Sequence, residues 1–352
     1  MMVGMIRGSS RAGGLVTTAA AMILGLGTAW SQTPAEFFRG KTVTLAVGSG
    51  PGGGYDAYSR TLSRYYGKFI PGNPSVVIQY VPGAGGMVVA NNTFSVAAKD
   101  GTFMAMIPSS VLLDGVLGSA AAKFEVGRFT PIGNMNEEAD TCSVWQTTGI
   151  TGAQDLMTRE VIIGTAGPAS NSHTFPLVMN AIIGTKFKLI PGYGGGSTLR
   201  IVAMEKGELH GACGIFVSTV LSQFPSQIKD GKLKVVLQMA LARHPAFADV
   251  PNAVEFAKSD EDRQMLNLFF GQLALGRALF APPEVPTDRA RALSDAFAAT
   301  MKDAEFQAEA TKLNLETRWF GPDRMRTVTE QMAATPPAIR DKARQFSAVS
   351  KE

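Results

Sequence analysis

From residue 42 onward, short apolar runs alternate with amphipathic stretches, and the alternation predicts the class of fold. Thr42-Val-Thr-Leu-Ala-Val is β-branched and apolar and stops at Gly48, the pattern of a strand. From Asp56 the period lengthens: Tyr58, Leu62, Tyr65 and Phe69 share one helical face, while Arg60, Arg64 and Lys68 form a solvated stripe. Pro71-Gly-Asn-Pro ends that helix. Ser75-Val-Val-Ile-Gln-Tyr-Val repeats the strand, Pro82-Gly-Ala-Gly-Gly repeats the loop, and residues 87–98 suit a second helix. After the turn Lys99-Asp-Gly, residues 102–107 predict a third strand running into Pro108, Ser109 and Ser110. Strands and helices in this order argue for a parallel sheet covered by helices, with the strand-to-helix loops gathered on one edge, where ligands bind.

The pattern then restarts. Residues 161–165 predict a strand, Ala166-Gly-Pro-Ala-Ser-Asn-Ser-His its loop, and residues 174–183 a helix. A strand over 186–190 leads into Pro191-Gly-Tyr-Gly-Gly-Gly-Ser and a helix over 198–206, and residues 211–217 and 234–239 supply further strands. Residues 273–281 read as extended up to Pro282-Pro, after which Thr287 suits the N-cap of a helix carrying Ala290, Leu293, Phe297 and Met301 on one face. That helical ending has no strand of its own and is expected to pack back on the first lobe. The expected architecture is therefore α/β with two lobes, each a mainly parallel sheet covered by helices: residues 32–144 with 246–352, and residues 145–245.

Residues 1–31 predict an export signal. Arg7 and Arg11 precede an uncharged, small and apolar stretch, and Ala29-Trp-Ser presents small residues where a signal peptidase reads, with cleavage near Ser31. No later segment approaches the roughly 20 apolar residues of a spanning helix without charge or proline. Removing this segment takes two arginines and no acid, which lowers the formal charge from +4 to +2. The basic residues left are spread along the chain with no dense block, so nucleic acid is not an expected partner. Cys142 and Cys213 could pair in an oxidising compartment if the fold brings them together, while Gly211-Ala-Cys-Gly-Ile also reads as a plain buried strand. Three histidines without C-x-x-C or H-x-x-x-H spacing offer no metal ligand set, and no cofactor is expected.

Gly48-Ser-Gly-Pro-Gly-Gly satisfies the dinucleotide pattern G-x-G-x-x-G between a strand and a helix, but the acid that should hold a ribose about 20 residues on is missing: no Asp or Glu stands between Ala57 and Lys99. The same loop physics suits a smaller anion. Glycines let backbone N–H groups approach closely, and a helix N-terminus adds partial positive charge. Neutral donors of this kind also recur around Ala84 to Gly86, at Ser109 and Ser110, at Ser170, Asn171 and Ser172, and around Gly194, Gly195 and Ser197. Asp56 reads as an N-cap or a brace of its loop rather than a ligand contact, since its charge would repel a carboxylate. Ser172 beside His173 lacks a third orienting group and a G-x-S-x-G elbow, and neighbouring Glu137 and Glu138 do not converge on one substrate, so no catalytic residues are assigned.

The motifs Gly50-Pro-Gly-Gly-Gly-Tyr-Asp, Pro82-Gly-Ala-Gly-Gly, Lys99-Asp-Gly-Thr, Phe129-Thr-Pro-Ile-Gly, Gly192-Tyr-Gly-Gly-Gly and Ala281-Pro-Pro-Glu-Val-Pro occur in that order. In this the chain resembles the Bug/TctC family, the extracytoplasmic solute receptors of tripartite tricarboxylate transporters. The resemblance implies a two-lobed periplasmic binding protein of type II-like fold that closes on a small carboxylate and delivers it to membrane transporter subunits, as a monomer. A sensor role, with the closed form passed to a signalling partner, is the alternative, and a secreted hydrolase a remoter one. Carried over by motif, the ligand contacts fall on Gly52, Gly53, Gly54, Tyr55 and Asp56, on Gly83, Ala84, Gly85 and Gly86, and on Ala169 to His173. Tyr55 departs from the smaller polar residue common there, and the acids in Asn136-Glu-Glu are not a hallmark of the family. Either could narrow the cleft or recognise an amine, although a glutamate pair is more often solvated surface.

Overall fold

The computed structural model describes residues 32–346, with Met1, Gly4 and Met5 besides; the export segment expected over residues 1–31 otherwise lies outside the described residues. The chain from Thr33 first runs through α1 (Pro34–Phe38), β1 (Thr42–Val47), α2 (Gly54–Phe69), β2 (Ser75–Tyr80), α3 (Met87–Ser95), β3 (Phe103–Met106), α4 (Ser109–Val116) and β4 (Thr130–Asn134). It then crosses to β5 (Asp140–Trp145), α5 (Asp155–Thr158), β6 (Val161–Gly164), α6 (Asn171–Ile182), β7 (Phe187–Ile190), α7 (Ser197–Glu205), β8 (Gly211–Phe216), α8 (Val217–Gln223), α9 (Pro225–Lys229) and β9 (Leu233–Met239). A helix α10 (Asp260–Gly271) leads back to β10 (Ala278–Ala281), and α11 (Thr287–Lys302), α12 (Ala304–Lys312), α13 (Pro322–Ala333) and α14 (Pro337–Ala343) follow.

Two five-stranded sheets result, ordered β2-β1-β3-β10-β4 and β7-β6-β8-β5-β9. They share one plan. In each, a parallel trio (β2, β1, β3 or β7, β6, β8) is extended by a strand arriving from the other lobe and running antiparallel to both its neighbours. The trios are the repeated strand-loop-helix units of the sequence. Val43, Leu45, Ala46 and Val47 of β1 are all buried, as expected of a central strand covered on both faces. β5 belongs to the second sheet, so the lobes part between Asn134 and Asp140 rather than after residue 144.

Several boundaries differ from the sequence reading, each for a local reason. Helix α6 starts at Asn171, so Asn171, Ser172 and His173 form its first turn rather than the preceding loop. Residues 272–275 close into a 3-10 turn, and only Ala278–Ala281 pair as a strand. Asp56 lies inside α2, behind Gly53 at its N-cap, and Pro286 rather than Thr287 caps α11. Helix α11 packs on β4 and α2, so this part of the C-terminal segment does return to the first lobe.

Cys142 and Cys213 stand directly opposite each other on β5 and β8 and form a disulfide, with Cα atoms 4.0 Å apart. The bond ties the strand that crosses between lobes to the strand whose end, from Gly214 to Phe216, reaches the site described next.

Candidate functional site

A cavity of about 450 Å3 lies between the two sheets at the carboxyl ends of their parallel strands. Its first-lobe wall is mainly main chain: Gly48, Gly50, Gly53 and Gly54 after β1, and Pro82, Gly83 and Gly85 after β2. Five helices begin at its surface, at Gly53–Gly54 (α2), Pro108 (α4), Ser170–Asn171 (α6), Gly196–Ser197 (α7) and Phe216 (α8). None of the five has its N-terminus capped by a side chain; α11, α13 and α14, remote from it, are uncapped as well, while α1, α10 and α12 are capped by Thr33, Ser259 and Asp303, so what marks the five is that they meet at one place. Uncapped N-termini leave N–H groups without intrahelical partners and carry the positive end of the helix dipole, so their convergence favours an anion.

The lobes touch across this cavity. A Cβ on Gly50 would lie 3.6 Å from Gly195 Cα, one on Gly53 3.4 Å from Ser197 N, and one on Gly85 only 2.6 Å from Ser170 N. Thr198 Oγ1 donates to the Gly52 carbonyl. Glycine at position 85 is needed twice over, because its φ of 72° is left-handed as well.

Side chains make the remaining wall. Arg277, 1% exposed, lies 4.6 Å from each of the ring centres of Tyr55, Tyr58 and Phe216. Its Nη2 donates to Thr219 Oγ1 at 2.9 Å and to Ser218 Oγ at 3.3 Å, while Ser218 in turn donates to Glu138. Arg277 Nε stands 3.2 Å from Glu138 Oε1, an ion contact that lacks hydrogen-bond alignment. Arg200, 5% exposed, donates through Nη1 to the Cys213 carbonyl at 2.6 Å and through Nη2 to that of Gly214, and burial pushes its guanidinium down to about 10, partly offset by Asp140. Asp140 is fully buried and accepts a 2.7 Å hydrogen bond from Asn171 Nδ2; burial pushes its carboxyl up to about 7 against the opposing pull of Asn171 and Arg200. Ser197 Oγ, Arg200 Nε and Asn171 Oδ1 make no hydrogen bond to another residue.

The family model described as tripartite tricarboxylate transporter family receptor, TctC, matches residues 71–343. The chain belongs to the TctC family. A curated relative, the UPF0065 protein in the TAR-I ttuE-ttuC' intergenic region of Agrobacterium vitis, is 24% identical over 288 residues, 78% of this chain and 75% of that one. Among solved structures, the periplasmic binding protein BugD superposes with a TM-score of 0.69 at 18% identity, over 87% of this chain and 97% of that one. Malate-bound MatC of Rhodopseudomonas palustris gives 0.65 at 19% identity, over 87% and 98%. The fold is that of periplasmic binding proteins, and among the described residues of this TctC-family chain no helix is long and apolar enough to cross a membrane.

The TctC-type cavity gathers most residues singled out in the sequence: Gly53, Gly54, Tyr55, Gly83, Gly85, Ser170, Asn171, Ser172, Gly194, Gly195 and Ser197 all line it. Gly52, Asp56, Ala84, Gly86, Ser109 and His173 do not. Asp56 Oδ2 accepts from Gly52 N at 2.9 Å and Oδ1 from Arg60 Nε and Tyr80 OH; although burial pushes its carboxyl up, these bonds hold it below its usual value, and the group braces the loop. Ser109 is buried at the start of α4, and Ser110 reaches the cavity in its place. Ser170 and Ser172 hydroxyls are engaged with each other at 2.8 Å, with the Gly167 carbonyl and with Ala166 N, so they fix the loop. Read as neutral donors, the sequence does not single out Arg200, Arg277 or Asp140; of the two acids it leaves open between cleft and solvated surface, Glu138 is buried beside Arg277 and Glu137 pairs with Arg324.

A larger cavity of about 870 Å3 lies along the flanks of α10 and α13. No loop following β1, β2, β3, β6 or β7 reaches it, and surface ions such as Glu137, Arg243 and Arg324 line it. Of the α-helices only α14 begins there, at Pro336, against five at the smaller cavity.

Proposed function

We propose that this chain is an exported receptor that captures a small carboxylate between its lobes and delivers it to the membrane subunits of a tripartite tricarboxylate-type transporter, without catalysing a reaction. One observation carries the reading: five helix N-termini, none capped by a side chain, and the loop glycines of both lobes converge on a single cavity between the sheets. Backbone N–H groups at Gly53, Gly54 and Gly85 and the Ser197 hydroxyl would grip one carboxylate, with Arg200 and Arg277 keeping the local potential positive. Contacts to both lobes shift the population toward the closed form, which is the shape a membrane partner can distinguish. Malate in MatC is a ligand of the kind this arrangement suits.

Calorimetric titration of the secreted monomer with a panel of mono-, di- and tricarboxylates tests the proposal. One-to-one binding of at least one acid is expected. Silence across the panel, with turnover of an ester instead, would place the cleft in a different class of protein.

A further inference from the structure

Asn171 opens α6 at the cavity wall and is 8% exposed. Behind it stands Asp140 on β5, fully buried, whose Oδ2 takes the hydrogen bond from Asn171 Nδ2. Asp140 Oδ2 accepts this bond whether or not Oδ1 carries a proton, so the amide stands with its NH2 group toward Asp140 and its oxygen turned away from Oδ2. Asn171 lines the cavity, its Oδ1 is itself buried and bonds to no other residue, and Asp140 Oδ1 is likewise without a partner. Around it stand donors, the helix N-termini and Arg200 Nε, and hydroxyls such as Ser197 Oγ that donate or accept. An acceptor backed by a buried carboxyl is therefore set among these groups.

Buried acceptors left unmatched by a ligand cost affinity, and sites built to hydrogen-bond a substituent reject the analogue that lacks it. We infer that Asn171, held by Asp140, is the specificity determinant of the cleft, and that the ligand is a carboxylic acid bearing a hydrogen-bond donor, a hydroxyl or an ammonium group, directed at Asn171 Oδ1. The inference rests on the carboxylate reading above and adds to it which part of the ligand the second lobe reads. Arg200 donates to two carbonyls and Arg277 to Ser218 and Thr219, so neither supplies an acceptor that could serve the same substituent.

Matched acids test this on the unmodified protein: succinate, malate and aspartate, then propionate, lactate and alanine, each titrated calorimetrically. Within at least one series the substituted acid should bind about tenfold or more tightly than the plain one. Malate above aspartate assigns the substituent as a hydroxyl, and the reverse assigns an ammonium. In Asn171→Leu the preference should vanish while the plain acid still binds, and in Asp140→Asn, where the amide is free to turn, it should shrink; thermal melting establishes that each variant is folded. Plain acids that bind as tightly as their substituted partners overturn this inference and leave the carboxylate receptor standing. If none of the acids binds, the carboxylate reading falls and takes this one with it.

Discussion

On the first-lobe side of the cleft, Gly50, Gly53, Gly54 and Gly85 offer main chain, whereas the second lobe and the crossing segments offer Asn171, Ser197 and two buried arginines backed by acids. The two sides solve the same problem with different physics. Main-chain donors do not titrate and lose no side-chain entropy, but they require the partner lobe to approach where a Cβ would stand. Buried ions supply a stronger field at the cost of desolvation, so each is compensated nearby: Arg277 by Glu138, Arg200 by Asp140. The main-chain wall should therefore be sensitive to volume, and the side-chain wall to charge.

The largest effect is expected where compensation is broken. Arg277→Met leaves Glu138 buried and unpaired, and an uncompensated buried charge typically costs about 3–5 kcal/mol. The denaturant midpoint should drop accordingly, and adding Glu138→Gln should recover most of the loss, since the pair and not the arginine alone sets the cost. A loss under about 1 kcal/mol in the single variant would mean that ion compensation does not hold this wall together.

Volume is the next test. Gly85→Ala sets a methyl 2.6 Å from Ser170 N and forces a left-handed residue to carry a Cβ. Affinity for any acid that binds should fall about tenfold or more, because a shift of ~1.4 kcal/mol in the closed population is already tenfold. Gly53→Ala, whose methyl would meet Ser197 N at 3.4 Å and Gly196 Cα at 3.5 Å, should change affinity far less. Equal losses at the two positions would break the volume argument.

The same contrast explains what could be read from the sequence. Glycine loops between a β-branched run and a helical period are local signals, so the main-chain wall and the parallel trios were visible in the order of residues. Isolated charges are not. Arg200 falls on the buried face of α7 with Ser197, Ile201 and Met204, a charge at core spacing that was the available clue. Arg277 abuts the apolar strand Ala278–Ala281 in the same way. Their partners, Asp140 and Glu138, lie more than 50 residues distant, and only the fold of the crossing segments joins them. The disulfide was open for the same reason: Cys142 and Cys213 meet through the antiparallel register of β5 with β8, a pairing between distant segments.

The smallest effect concerns charge at Asp140 and has a definite sign. Burial raises this carboxyl to about 7, with Glu138 adding to the rise and Asn171, Arg200 and Arg277 opposing it. An unfolded Asp titrates near 3.9, so between about pH 4 and pH 7 the folded protein holds a proton that the unfolded chain has released. The contribution to stability is thus complete below about pH 4 and is lost as the pH rises through about 7. Glu138, whose carboxyl burial also raises against the pull of Arg277, acts in the same sense, whereas Asp56 and Glu316 are held low and act in the opposite sense at lower pH. The measurement is therefore the difference in unfolding free energy between the wild type and Asp140→Asn. That difference should shift against the wild type as the pH is raised from about 4.5 to about 7.5. A flat difference would mean that Asp140 stays ionised throughout, with Asn171 and Arg200 outweighing its burial, and no proton at this site would then bear on the stability of the side-chain wall.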